Sequence, residues 1–463
     1  MKPRSFIPAL LKCASFIFLF LIFSCKQKEQ PKNDGLLSEI ETSLDTLVNV
    51  WYPRTIDTIN GGFWADFDSE WAKDGNQNKM LVTQARHIWT ASALAMHYKD
   101  DQYQDIAKHG FEFLKENMWD DEHGGFYTLK GIEGDSLKLR STSKSAYGNS
   151  FAIYGLATYY KLSKDTTALH LAKKTFQWLE AHSYDSKYKG YFDVMKQDGS
   201  WLLDVKENDN SYDNFVRKDW KDQNSSIHLL ECYTALYGVW PDPLVKERLE
   251  ELLILTRDVI TTERGSLSLH LQRDWTPVSF KDSTEVYRKE NFWLDHISFG
   301  HDVETAFLML EASHALGIKN DSVTLKKGKK MVDHALAKGW DNEKGGFYDG
   351  GYYVDDSDTC TIENPAKVWW TQAEGLNSLL MLSQLFPEEK RYATLFKKQW
   401  RYLDTYMIDH ENGGWHSEGL DSNPHAIHNA KAGVWKVNYH TIRALINVTQ
   451  MLKGEFALTN TEH

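Results

Sequence analysis

From residue 36 onward the apolar positions fall at helical spacing, and they predict two kinds of helix. Stretches such as Tyr103 to Met118, with Ile106, Phe111 and Leu114 on one face, read as helices with one side in solvent. Stretches such as Ser145 to Leu162 and Trp370 to Phe386 are apolar over most of their circumference, as helices enclosed by protein are. A glycine-aromatic turn and a short β-like segment lead from the first kind to the second. The turn recurs as Gly61-Gly62-Phe63-Trp64, Gly124-Gly125-Phe126-Tyr127, Gly190-Tyr191-Phe192, Gly345-Gly346-Phe347-Tyr348 and Gly413-Gly414-Trp415. A weaker member, Arg264-Gly265-Ser266-Leu267, stands between the third and fourth of these. Glycine tolerates the backbone conformations that such tight reversals need.

The turns divide the chain into six units of about 63 to 80 residues, a period that signals a repeat architecture. Six outer and six inner helices alternating around a closed ring make an all-α fold, an (α/α)6 barrel of six helical hairpins. It is expected over residues 36–455, with 456–463 as a tail. An open solenoid of helical pairs is the alternative, but the units differ in length and none reads as a cap.

The repeat also predicts where polar side chains gather. Each turn is followed by the polar opening of an inner helix: Gly62 by Arg86, Gly125 by Tyr147, Gly190 by His228, Gly265 by His301, Gly346 by Trp370 and Glu374, and Gly414 by His440. Four of these gaps are 22 to 26 residues, while two, of 38 and 36, carry insertions. In a closed ring the openings meet at one mouth, with the long loops over it. Two openings repeat one pattern. His301 and Glu304 share a helical face, as do Asn224, His228 and Glu231, by the three- and four-residue spacing of helical neighbours.

The gathered set is Arg86, Tyr147, Asn224, His228, His301, Glu304, Trp370, Glu374, Trp435 and His440. Histidine both takes and gives a proton near neutral pH. Two of them on opposite faces of a substrate carbon could remove a proton from one side and return it to the other. A carboxylate such as Glu304 can orient a histidine and support its imidazolium. Arg86 and Tyr147 could meet charge developing on oxygen, Trp370 and Trp435 could stack on sugar rings, and Asn224 and Glu374 are expected on the substrate as well. Aromatic residues make up 13% of the chain, with 17 Trp, which suits flat apolar sugar faces. The net charge of −12 with no basic stripe argues against nucleic acid as a partner.

At these residues the chain resembles the N-acylglucosamine 2-epimerase superfamily, most closely its cellobiose and mannobiose 2-epimerase branch. The motifs are Gln84-Ala85-Arg86, Asn224 to Glu231, Gly300-His301-Asp302-Val303-Glu304, Trp369-Trp370-Thr371-Gln372-Ala373-Glu374, and Trp435 to His440. The resemblance implies cofactor-independent and metal-independent epimerisation at C2 of a reducing-end sugar, a mono- or disaccharide. It implies His301 and His440 as the acid/base pair, His228 as an aid to ring opening, Glu304 as support for His301, and Arg86 and Tyr147 on the reacting oxygens. It places Trp370 and Trp435 on the sugar rings. Val437-Asn438 departs from the Cys-Pro expected before Tyr439-His440. Relatives with similar histidines isomerise aldoses to ketoses, so that product remains an alternative. The chain is expected as a monomer or weak homodimer.

Three other uses of these residues stand beside this one. A glycoside hydrolase would work through two carboxylates, for which Asp209, Asp213, Asp219 and Asp222 are available. A metal-dependent isomerase could hold an ion between His-x-x-Glu pairs on facing helices. A lipid-anchored glycan-binding protein would need the aromatics but no histidines.

The N-terminus reads as an address. Lys2 and Arg4 precede the apolar run Phe16 to Phe23, which ends in Ser24-Cys25, the layout of a signal peptide. It resembles a bacterial lipoprotein signal over residues 1–25, with lipid on Cys25, and residues 26–35 form a polar tether. This implies an exported, membrane-anchored protein facing the periplasm or the cell surface. Cys13 leaves with the signal, and the remaining Cys232 and Cys360 make neither a disulfide framework nor a zinc pattern.

Overall fold

The computed structural model describes residues 34–133, 136–139, 143–201, 220–354 and 357–458. The predicted leader, most of the tether, and Asp209, Asp213 and Asp219 lie outside the described residues. The chain opens with the outer helix α1 (Asp34–Trp51), followed by α2 (Leu81–Tyr98), α3 (Asp101–Phe113), α4 (Ala146–Ser163), α5 (Thr166–His182), α6 (Gln223–Val239) and α7 (Pro243–Ile254). Two short helices, α8 (Glu285–Glu290) and α9 (Phe292–Asp295), occupy the second insertion. Then come α10 (Phe299–Ala315), α11 (Ser322–Lys338), α12 (Trp369–Leu385), α13 (Arg391–Tyr402) and α14 (Tyr439–Lys453).

The inner ring consists of α2, α4, α6, α10, α12 and α14, each packed on the next, and α14 returns to α2. The ring is therefore closed, an (α/α)6 barrel and not a solenoid. Its two helix types differ as the pattern predicts. The inner helix α4 buries Ala146 and every residue from Gly148 to Tyr159, whereas outer α3 buries Ile106, Ala107, Gly110, Phe111 and Phe113. Close helix approach explains Gly155, where a Cβ would stand 2.8 Å from the Ala85 carbonyl oxygen of α2.

All six turns form the same small device. Antiparallel bridges join Ile56 to Phe63, Trp119 to Phe126, Tyr184 to Tyr191, Thr261 to Leu267, Trp340 to Phe347 and Ile408 to Trp415, so the weaker fourth member is a true repeat. In the other five, Asp57, Asp120, Asp185, Asp341 and Asp409 each accept from two backbone N–H groups within the turn. A buried lysine meets each of these aspartates. Lys79, Lys144, Lys221 and Lys367 do so at 2.7, 2.7, 3.1 and 2.7 Å, and Lys431 meets Asp409. The first four lysines stand two residues ahead of an inner helix.

A second tie joins turn to helix. The backbone N–H groups of Phe63, Phe126, Leu267 and Phe347 donate to Gln84, Asn149, Asp302 and Gln372 at 2.7, 2.9, 2.9 and 2.8 Å. Short antiparallel pairs then link each inner-helix start to the segment after the following turn, as Lys79 with Lys130 and Ser145 with Val194. Phe67 with Ala432 closes this belt. Each inner-helix N-terminus is thus held from the outer ring and from its neighbour, at one end of the barrel.

Candidate active site

Those N-termini carry the predicted side chains. The start of α4 is set by Ser145, whose hydroxyl accepts from Gly148 N–H at 2.9 Å, and by Asp193, which accepts from Tyr147 N–H at 2.8 Å. Such caps satisfy donors that the helix itself leaves unpaired. The α6 start is capped by Asp222, whose carboxylate takes the Ser225 N–H at 2.6 Å and the Ser225 hydroxyl at 2.8 Å. Asp222 is therefore a helix cap and not a candidate hydrolytic acid.

The mouth of the site is a ring of aromatic and basic groups. Arg86 Nη2 donates to the Tyr147 hydroxyl at 3.1 Å and Nη1 to the Trp435 carbonyl at 3.4 Å. Its guanidinium lies 4.4 Å from the Phe151 ring centroid, a cation–π geometry that fixes its plane. Asn224 reaches the same Tyr147 hydroxyl. The Tyr147 ring stands 5.3 Å from His228 and 6.3 Å from Trp435. Across the mouth, the Trp370 indole contacts both other histidines, with centroids 4.7 Å from His301 and 5.8 Å from His440. Trp435 sits on the rim at 44% exposure.

Each histidine is held through Nδ1. His440 Nδ1 lies 2.8 Å from Glu374 Oε1, His228 Nδ1 lies 2.9 Å from Glu231 Oε2, and His301 Nδ1 lies 2.8 Å from the Ser298 hydroxyl. With Nδ1 engaged, Nε2 is the nitrogen left for a substrate. Burial, with His228, His296 and His440 nearby, pushes His301 down to about 3. Burial also lowers His440, against the opposing pull of Glu304. Neutral imidazoles at neutral pH are ready to act as bases.

The structure places Glu304 differently from the expectation. Its Oε1 accepts from Arg443 Nη2 at 2.6 Å and lies 3.7 Å from His440 Nδ1, while Ser298 is the group on His301 Nδ1. The reason is directional: Glu304 lies one turn deeper in α10 than His301, and its side chain turns toward the cation on α14. Glu374, expected on the substrate, is instead the anchor of His440.

Arg443 was not legible as a functional residue. It is buried, and its guanidinium bonds Glu231, Glu304 and Glu374, with Nη2 at 2.6 and 2.7 Å from the last two. Tyr439 joins it, with hydrogen bonds to Glu231 and Arg443. A signal was available, since Arg443 is a lone cation in the otherwise apolar stretch Ile442 to Ile446, one turn beyond His440. Burial pushes Glu231 up, but Arg443 and His228 outweigh it and hold the carboxyl at about 2. Glu304, Glu374 and His440 bring ligand-type atoms within 4.8 Å of one another. The guanidinium already bridges both carboxylates, so the cluster is an ion-pair network in which Arg443 supplies the cation.

The N-acylglucosamine 2-epimerase family profile matches residues 61–444, from the first turn through the site helix α14. The chain belongs to that family. It is 30% identical over 416 residues to a cellobiose 2-epimerase of Ruminococcus albus, covering 89% of this chain and 98% of the relative. It is also 24% identical over 421 residues to a D-mannose isomerase of Marinomonas mediterranea, covering 89% and 97%. The cellobiose 2-epimerase structure from Spirochaeta thermophila superposes with a TM-score of 0.76 at 28% identity, covering 92% of this chain and 99% of that one. This family member is a carbohydrate isomerase.

Proposed function

We propose that the enzyme inverts C2 of a reducing-end aldose, free or at the end of a disaccharide, using His301 and His440 as two bases. The observation that carries this reading is the placement of both imidazoles on one indole, Trp370, each with Nδ1 engaged. One histidine takes the C2 proton of the open-chain sugar, and the C–H electrons pass toward the C1 carbonyl to form an enediolate. The other, which enters this step as the imidazolium with its proton on Nε2, delivers that proton to C2 from the opposite face, and the carbonyl re-forms. The two histidines end with their protonation states exchanged and reset by proton exchange with water. Arg86 and Tyr147 stabilise the negative oxygen, a preorganised pair of donors in a buried setting. His228, held by Glu231, assists ring opening by moving a proton at the ring oxygen, and Trp435 carries a sugar face at the rim.

A ketose-forming reaction uses the same enediolate but delivers the proton to C1. The match to a D-mannose isomerase makes it the second reading. Incubating the protein in heavy water with cellobiose, mannobiose, mannose and N-acetylglucosamine, followed by NMR, separates the two. A C2 epimer deuterated at C2 supports the proposal; a ketose as the first product overturns it in favour of the isomerase. We further propose that the leader is cleaved before Cys25 and that the Cys25 thiol carries lipid, so that the barrel works at a membrane surface; no helix among the described residues is long and apolar enough to cross one.

A further inference from the structure

We propose that Arg443 is a positioning residue that sets the proton affinity of His440. The proposal rests on the two-histidine reading and adds a control on when His440 holds its proton. The groups facing His440 come from every inner helix around it. Glu374 of α12 lies at 2.8 Å and Glu304 of α10 at 3.7 Å. His301 of α10, His228 of α6 and Arg86 of α2 act on it as neighbouring charges or potential charges. Glu231 of α6 and Tyr154 of α4 reach it through Tyr439 and Arg443 of its own helix.

Among these, Arg443 alone touches all three carboxylates. Its guanidinium does not titrate in proteins, so it is a constant positive charge. Three carboxylates share one guanidinium in a buried cluster, so without that cation the cluster draws a proton toward the nearest titratable base. That base is His440, and Arg443 opposes the transfer. The geometry gives a second control, because Glu374 Oε1 is shared by Arg443 Nη2 and His440 Nδ1 at 2.7 and 2.8 Å. The cation that limits the charge on Glu374 also fixes the oxygen that orients the imidazole. Ser298, a neutral hydroxyl, gives His301 no such tie.

The test is the pH dependence of kcat/KM in both epimerisation directions for wild type, Arg443→Met and Arg443→Lys, with His440 followed by NMR in histidine-labelled protein without substrate. Losing a charge at this range moves a titration by about 1–3 pH units. Arg443→Met should shift the acid limb that reports His440 upward by that amount, whereas Arg443→Lys should leave it at the wild-type position with reduced kcat. Should Arg443→Met fail to fold, Glu304→Gln keeps the guanidinium and removes one negative charge, and the limb should move down. The NMR titration of His440 should follow the same order. Unmoved limbs with uniformly lower kcat, or superimposable His440 titrations in wild type and variants, overturn the proposal. A wild-type protein that turns over no sugar overturns the epimerase reading instead, and the NMR curves still decide the role of Arg443.

Discussion

Lys144 offers the sharpest test of the frame that aims the site. Its ammonium has no exposed surface, lies 2.7 Å from Asp120 Oδ2 and also donates to the Gly124 carbonyl at 2.5 Å. It stands two residues before α4, the helix that presents Tyr147. Lys144→Met keeps the length and most of the volume but strands the buried Asp120 carboxylate. Breaking a buried pair from one side costs about 3–5 kcal/mol. For a unit of about 420 residues, an unfolding entropy of about 2.1 cal/mol/K per residue converts that into a Tm loss of about 3–6 °C. The loss should also depend on pH. Burial pushes Asp120 up, but Lys144 and the N–H groups of His123 and Glu122 hold it at about 2. A carboxyl depressed below its unfolded value stabilises the fold above about pH 4, and that stability fades as pH falls toward 2. The gap between wild type and variant should therefore narrow over that window. Calorimetry and denaturant unfolding from pH 7 to 2, with Lys289→Met as an exposed ion-pair control expected within about 0.5 kcal/mol, provide the measurement. A Lys144→Met loss no larger than the control would refute the role assigned to the lysine–aspartate turns.

Other outcomes follow from the same geometry. Trp435→Ala, at the exposed rim, should raise KM about five- to thirty-fold, the equivalent of about 1–2 kcal/mol of lost sugar contact, while kcat and Tm change little; steady-state kinetics and melting check this, and a selective loss of kcat would place Trp435 in the chemistry. Dialysis against EDTA should leave activity intact, because Arg443 supplies the cation of the cluster; loss restored by a divalent ion would favour the metal-isomerase reading. Cys25→Ser should release the protein from membranes or leave its precursor uncut, read by fractionation and mass spectrometry; wild type that fractionates as soluble with residues 1–25 intact contradicts lipidation.

Much of this was legible because the fold is written as a repeat. Glycine turns and two grades of apolarity predicted the helices, including α4 and α12 within a residue of their observed bounds, and a closed ring predicted that Arg86, Tyr147, His228, His301, Trp370 and His440 would meet. Contacts that cross the ring left weaker marks. The lysine–aspartate pairs join residues that sequence spacing alone does not connect, and each lysine by itself looks like an ordinary surface charge. Arg443 was hidden for the same reason, since its partners lie on α6, α10 and α12 while its own helix reads as core. Glu304 was matched to His301 because they share a helix face, and that local rule lost to a buried cation on another helix.

The central claim is that His301 and His440 own opposite faces of C2. It is tested most directly by deuterium exchange in His301→Asn and His440→Asn, each given both epimers of the substrate in heavy water. Net epimerisation should fall by about 10²–10⁴-fold or more in both variants, the usual worth of a positioned acid or base. Each variant should still wash deuterium into C2 of one epimer without inverting it, and the epimer should differ between the two. Near-normal epimerisation in either variant, or exchange into the same epimer in both, would contradict the two-base assignment and move the chemistry to His228.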